Sequence, residues 1–288
     1  MAKPSKVELT IKTTSPTGRA ATENKTAMAG QRLRDPQDKP SAGTGKTRQP
    51  RTAALGRCVL PAIQSEGDLE QAVAHLLQVD PLVIASLLEA GGMPPLRRRE
   101  PGFAGLVWIL VSQQVSVASA NAIFARIKAR FDPLEPSAIL DCAPDDLATC
   151  GLSRPKQRSL HAIAQAVANG TLDFDQLAGM DATTAHATLV SVHGIGPWTA
   201  DIFLLFCLGH PDAWPAGDLA LQEATRMVLK RKTRPDAKQL AKIGARWRPY
   251  RGVAARLLWS YYGAVRAPAS AGGDAPKTGM ALAGAALS

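Results

Sequence analysis

The sequence predicts an all-α fold. Three observations carry that expectation. From about residue 56 to 266, apolar residues recur at helical spacing in one segment after another. Strand signals are few. Helix stop and start residues, such as Gly170 and Pro197, fall where the segments meet.

The elements follow in order. "DLEQAVAHLLQ" and "PLVIASLLEAG" are short amphipathic segments. "GFAGLVWILVSQQVS" is apolar nearly all round, which predicts a central buried helix. "VASANAIFARIKARF" places Ala118, Ala122, Ile123 and Ile127 on one face and basic residues on the other. "APDDLATCGL" reads as a short helix and turn. "RPKQRSLHAIAQAVANG" is a longer helix ending at Gly170. "TTAHATLVSV", "PWTADIFLLFCLG", "GDLALQEATRMVLKR", "AKQLAKIGARW" and "PYRGVAARLLWSYYGAV" complete the series, with no internal repeat.

The 288 residues carry a formal net charge of +10, which first suggests a polyanionic partner. The charge is uneven. Residues 1–57 hold 12 Lys and Arg against 4 Asp and Glu, so most of the excess lies in the first fifth of the chain. Residues 1–55 show no sustained period and are expected to form a disordered basic arm, either a solubilising tail or a loose nucleic-acid tether. "SAGTGKTRQP" mimics a phosphate-binding loop, but the first glycine of that motif would fall on Pro40. Residues 267–288 read as a flexible tail. No apolar run is long enough to span a membrane, and "MAKPSKVELTIK" has no segment of signal-peptide length. The expected location is the cytoplasm, nucleoid-associated if the source is bacterial. Cys58, Cys142, Cys150 and Cys207 are scattered, without the spacing of a zinc or iron–sulfur site, and read as reduced packing residues.

The densest local signal is "SVHGIGPWTADIFLL" at 191–205. A helix is expected to end near Val192 and "HGIG" to form a hairpin. Pro197 then opens the next helix, where its missing N–H costs nothing. Gly194 and Gly196 permit positive φ and strip side chains from the outer surface of the turn. Ile195 is expected to point inward and pin the hairpin. The product is a patch of free backbone N–H groups at a helix N-terminus, suited to a phosphate. This is the helix–hairpin–helix device for gripping a DNA backbone, although an αα-corner with glycine caps would use the same residues. His193 is expected to be a solvated turn residue rather than a ligand. Asp218, 22 residues after Gly196, sits where a helix N-cap would.

The stretches "LVSQQVSVASANAIFARI", "GLSRPKQRSLHAIAQAVANGTLD", "VHGIGPWTADIFLL", "PAGDLALQ" and "RWRPYRGVAARLLW", in that order over roughly 95 to 260, resemble the 3-methyladenine DNA glycosylase II family of the helix–hairpin–helix DNA glycosylase superfamily. The resemblance implies a two-lobed helical domain over 56–266 with a cleft between the lobes. It places the helix–hairpin–helix at 183–209 and a catalytic loop at 210–218. Residues 56–95 are too few for the extra β-rich domain of the family's long members, so the compact form is expected. The implied activity is a monofunctional glycosylase that excises alkylated purines, such as 3-methyladenine, from double-stranded DNA by base flipping and hydrolysis of the N-glycosidic bond. A non-catalytic helix–hairpin–helix DNA-binding protein, or a glycosylase for other damaged bases, would use much of the same framework.

By the same resemblance Asp218 is the catalytic carboxylate, beside the sugar cation that forms as the bond breaks. Trp198 and Trp259 match the base pocket. A lysine stands at the position of Trp198 in relatives that also nick the backbone, so tryptophan implies hydrolysis by water alone. Ile202 occupies a position that is aromatic in some relatives. DNA contacts fall on Gln113, Gln114, Ser116, Gly194, Ile195, Gly196 and Thr199, with Gln114 at the position of a duplex-penetrating wedge. Gln113, Gln114 and Ser116 would equally suit a polar turn between two helices. Arg154, Lys156 and Arg158, Arg248 and Arg251, and "RRRE" at 97–100 are either phosphate contacts or solvated faces. No cofactor or metal is required; in relatives the hairpin carbonyls can hold a monovalent cation. The expected partner is duplex DNA with alkylated bases, bound by a monomer.

Overall fold

The computed structural model describes residues 60–143 and 145–266. The expectations for the basic arm at 1–55, for Cys58 and for the tail at 267–288 lie outside the described residues. Among the described residues there are thirteen α-helices, one 3-10 helix and no strand. The order is α1 (Glu66–Val79), α2 (Pro81–Gly91), α3 (Phe103–Ser112), α4 (Val117–Arg130), α5 (Pro136–Leu140), α6 (Asp146–Thr149) and α7 (Arg154–Ala168). It continues with α8 (Phe174–Ala178), α9 (Ala182–Ser191), α10 (Pro197–Phe206), α11 (Leu219–Val228), α12 (Ala237–Gly244), the 3-10 turn Ala245–Trp247 and α13 (Arg251–Arg266).

Local chemistry sets the helix starts. Ser65 and Asp68 form a capping box on α1, and Asp236 and Gln239 form another on α12. Asp181 accepts from the N–H groups of Thr183 and Thr184 to begin α9. Proline opens α2, α5, α7 and α10 within their first two positions. The five-residue helices α5 and α8 have no counterpart in the sequence reading, since little more than one turn offers no period to detect.

The helices sort into two packed groups. One is a continuous stretch of chain: α3 packs on α4, α7 and α10, α7 on α5 and α6, and α9 on α8 and α10. The other combines both ends of the described chain, with α1 and α2 packed against α11, the 3-10 turn and α13, and α12 packed on α11 and the 3-10 turn. Helices α3 and α10 are buried almost throughout, which is why their sequences are apolar on every side. The buried segment ends at Ser112, short of the expected run to residue 116, because the chain turns extended at Gln113.

Specific contacts join the groups. Trp259 of α13 stacks on Phe206 of α10, with ring centroids 5.8 Å apart. The N–H of Gly252 donates to Pro211 O at 2.8 Å. A Cβ at Gly252 would come within 2.6 Å of Leu205 and 2.8 Å of Pro211 O, so this crossing requires glycine. Arg256 is 5% exposed and donates to Leu205 O and Arg97 O, over the ring of Phe206. Burial, with Arg98 and Arg97 nearby, pushes its guanidinium down to about 10.

Candidate active site and nucleic-acid interface

The segment after α10 is fixed along its length. His210 Nδ1 accepts from the N–H of Asp212, and the Asp212 carboxylate takes two 2.8 Å bonds from Arg251. Arg248 lies 3.5 Å from the same carboxylate. Trp214 is buried and donates to Leu240 O. The N–H of Asp218 donates to Pro215 O, and Gln222 reaches back from α11 to Ala216 O at 3.0 Å.

This loop delivers Asp218 to the boundary between the two helix groups. The residue is 4% exposed. Its Oδ1 accepts from the N–H of Leu221 at 2.9 Å, which makes it the N-cap of α11. The same oxygen accepts from Trp259 Nε1 at 3.2 Å, and Oδ2 accepts from Trp198 Nε1 at 3.0 Å. The structure therefore joins all three residues expected at the reaction centre, by contacts that the sequence reading did not foresee. Among the described residues no Lys, Arg or His forms an ion pair with this carboxylate. Three neutral donors hold it, and Oδ2 keeps acceptor capacity for a further group. Such a carboxylate favours a positive charge that develops beside it.

The two tryptophans differ in access. Trp198, the second residue of α10, is half-buried, so part of its ring is open. Trp259 is 3% exposed with its ring on Phe206, so it meets the site through its N–H edge. Ile202 is buried in the core.

The hairpin links α9 to α10. The N–H of Ile195 donates to Val192 O, and the Ile195 side chain is 3% exposed, pinned inward as expected. Gly194 adopts φ +89°, and a Cβ there would fall 2.3 Å from the side chain of Ser159. Gly196 departs from expectation. Its φ is −79°, open to any residue, and a Cβ there would meet nothing within 4 Å. The packing of the protein does not require a glycine at 196. No side chain caps the N-terminus of α10, so its first N–H groups, beside Gly196, have no side-chain partner. His193 is exposed.

The α3–α4 loop lies next to this turn. Gln113 Nε2 donates to Thr199 Oγ1 at 2.7 Å. Thr199 as a whole is buried, 3% exposed. Gln114 is exposed at φ 57°, and Ser116 caps α4 by accepting from the N–H of Ser119.

Several basic residues have structural partners, while Arg98 and Arg248 also keep an exposed face. Arg251 and Arg248 are held by Asp212, as above. Lys156 donates to Val111 O and Gln113 O, both at 2.6 Å. In "RRRE", Arg99 lies over the Trp108 ring with Cζ 3.3 Å from its centroid, and Arg98 approaches Cys207 O. Arg154 and Arg158 are exposed, and Arg158 directly precedes the Ser159 that touches Gly194. Sequence reasoning also missed Asp201, a 9%-exposed carboxylate one turn into α10. Burial pushes it up to about 8, against the pull of Arg251 and the backbone N–H of Trp214, and His186 Nε2 lies 3.8 Å away. A lone acid in an apolar helix was the available signal. Cys142, Cys150 and Cys207 are free thiols, and among the described residues no three His, Cys, Asp or Glu side chains are grouped to hold a metal.

A glycine hairpin between two helices, followed through a fixed loop by a recessed aspartate, defines a two-lobed helix–hairpin–helix domain with a buried carboxylate site. Residues 107–249 match the family model described as HhH-GPD superfamily base excision DNA repair protein. The chain is similar to the DNA-3-methyladenine glycosylase 1 of Schizosaccharomyces pombe, at 30% identity over 168 residues, covering 57% of this chain and 73% of that protein. It also matches the crystal structure of a Bacillus halodurans DNA-3-methyladenine glycosidase, with a TM-score of 0.62 and 30% identity over 67% of this chain and 90% of the other. A Schizosaccharomyces pombe 3-methyladenine DNA glycosylase in complex with abasic DNA aligns with a TM-score of 0.58 and 28% identity, over 66% and 95% of the two chains. The chain belongs to the HhH-GPD superfamily of base excision DNA repair proteins. It spans 39% of a 31%-identical Mycobacterium tuberculosis relative and 56% of a 27%-identical Bacillus subtilis one.

Proposed function

We propose that this protein is a monofunctional DNA glycosylase that removes alkylated purines, such as 3-methyladenine, from double-stranded DNA. One observation carries the reading: a buried aspartate held by two indole N–H groups, one from each helix group, beside a hairpin whose outer glycine has no packing reason to be bare. The names of the similar proteins support the substrate class. The abasic DNA in the Schizosaccharomyces pombe complex is the product that base removal would leave.

In this reading the first N–H groups of α10 hold a backbone phosphate, with the open space at Gly196 giving it room and Arg154 and Arg158 nearby. Gln113, Gln114 and Ser116 border the vacated stack. The extruded base meets the open part of Trp198, whose ring face attracts the cationic purine by about 0.5–2 kcal/mol. The C1′–N bond breaks with its electron pair leaving on the base. Alkylation at N3 or N7 has already made the base a good leaving group. The Asp218 carboxylate stabilises the oxocarbenium sugar and orients a water. Water oxygen bonds to C1′, one proton is released, and an abasic site remains. An indole N–H at position 198 cannot form a Schiff base, so no strand cleavage follows.

The partner is duplex DNA with alkylated bases, bound by a monomer in the cytoplasm or on the nucleoid. A monovalent cation on the hairpin carbonyls fits an uncharged oxygen donor set and takes no part in bond cleavage. Among the described residues no helix is long and apolar enough to cross a membrane.

The test is release of free methylated base from alkylated DNA by the full chain and by Asp218→Asn. The variant is expected to lose at least about a hundredfold in rate while keeping its affinity for duplex DNA. Full activity in Asp218→Asn would remove the site assignment. No release by the unaltered chain, with DNA binding intact, would favour a binding module.

A further inference from the structure

Lys156 is the third residue of α7, in a turn whose partial positive charge disfavours a cation. No carboxylate pairs with it among the described residues. Its ammonium instead donates to Val111 O and Gln113 O, both at 2.6 Å, at the C-terminal end of α3. Helix α3 has no basic residue in its own last turn, so the lysine supplies the charge that end lacks. The side chain is half-buried, and desolvation pushes its ammonium below the usual lysine range.

The residue it grips is the hinge of the α3–α4 loop. The Gln113 carbonyl is held by Lys156, while the Gln113 amide donates to Thr199, the neighbour of Trp198. The next residue, Gln114, is exposed in the left-handed region at φ 57°. For a glutamine that conformation is strained and persists only where the surroundings impose it. Clamps on the residue immediately before it provide that imposition.

We infer that Lys156 is a positioning residue: its ammonium pins the C-terminus of α3 so that Gln114 projects at the DNA-facing side of the hairpin, and it touches no phosphate itself. This rests on the glycosylase reading. It removes Lys156 from the basic residues that contribute to counterion release.

The experiment uses the full chain, Lys156→Met, Gln114→Ala and the double variant. Each is titrated against a short duplex with or without a pyrrolidine abasic analogue, across a series of salt concentrations. Lys156→Met is expected to weaken binding to the analogue duplex about tenfold. It is expected to leave the slope of log affinity against log salt unchanged and to add nothing in the Gln114→Ala background. Lys156→Arg, which keeps donors at that place, is expected to recover most of the loss. A slope reduced by about 0.9 would make Lys156 a phosphate contact and overturn the inference. Losses that multiply with Gln114→Ala would overturn it too. If Lys156→Met does not fold, Lys156→Gln carries the same slope and coupling measurements. Release of alkylated base by the unaltered chain is measured in parallel: its absence would sink the glycosylase reading, whereas release with multiplying losses would sink only the role of Lys156.

Discussion

Both oxygens of Asp218 already accept hydrogen bonds, and this governs what any replacement can do. Asparagine keeps one acceptor oxygen for Leu221 and Trp259, but its NH2 then faces the indole N–H of Trp198. Asp218→Asn is therefore expected to destabilise the fold by about 1–3 kcal/mol in addition to its effect on base release, readable as a lowered thermal midpoint. Trp198→Phe separates the two parts of the indole. The ring face stays and the donor to Oδ2 goes, so kcat is expected to fall about tenfold with KM little changed. An unchanged kcat would mean that the bond does not tune the carboxylate. The aspartate and both tryptophans were legible as residues. Their mutual bonding was not, because the direction of an indole edge leaves no trace in spacing. Lys156 and Arg251 were misread for a related reason: their partners lie about 40 residues away in the chain, and a charge cluster looks the same whether it faces solvent or a buried acceptor.

At the scale of the hairpin, the two glycines separate folding from binding. Gly194 sits at φ +89° with Ser159 against its α-carbon, so Gly194→Ala is expected to cost about 2 kcal/mol or more in a denaturation experiment. Gly196 has an ordinary φ and open space around it. Gly196→Ala is therefore expected to hold its thermal midpoint within about a degree or two, since nothing in the fold opposes the methyl. Its affinity for duplex DNA at fixed salt is nonetheless expected to fall. Retained affinity would mean that no backbone approaches there. The long helices were legible because their apolar periods or their capping and proline starts are strong. Helices α5 and α8 were too short to show a period. The early end of α3 was hidden because the clamp that turns the chain at Gln113 comes from α7.

Across the whole molecule, the buried acid Asp201 couples stability to pH. Its folded value of about 8 lies above the ordinary value of 3.8 for an aspartate. A group raised in this way contributes stability that is fully present below 3.8 and is lost as pH rises toward 8. Unfolding free energy measured from pH 4.5 to 9 is therefore expected to decline relative to Asp201→Asn, with the difference levelling above about 8. Parallel curves for the two proteins would show that Asp201 is already charged in the fold.

The division of the chain between the two helix groups also bears on synthesis. Helices α3 to α10 form an unbroken stretch and can begin to pack as soon as they leave the ribosome. Helices α1 and α2 emerge first, yet their partners α11 to α13 emerge last. Until then α1 and α2 can cover only each other, and the faces that meet α11 to α13 stay open. Asp218 gains its bond from Trp259 only when α13 docks, so the proposed reaction centre is completed only after the last of the described helices has been made.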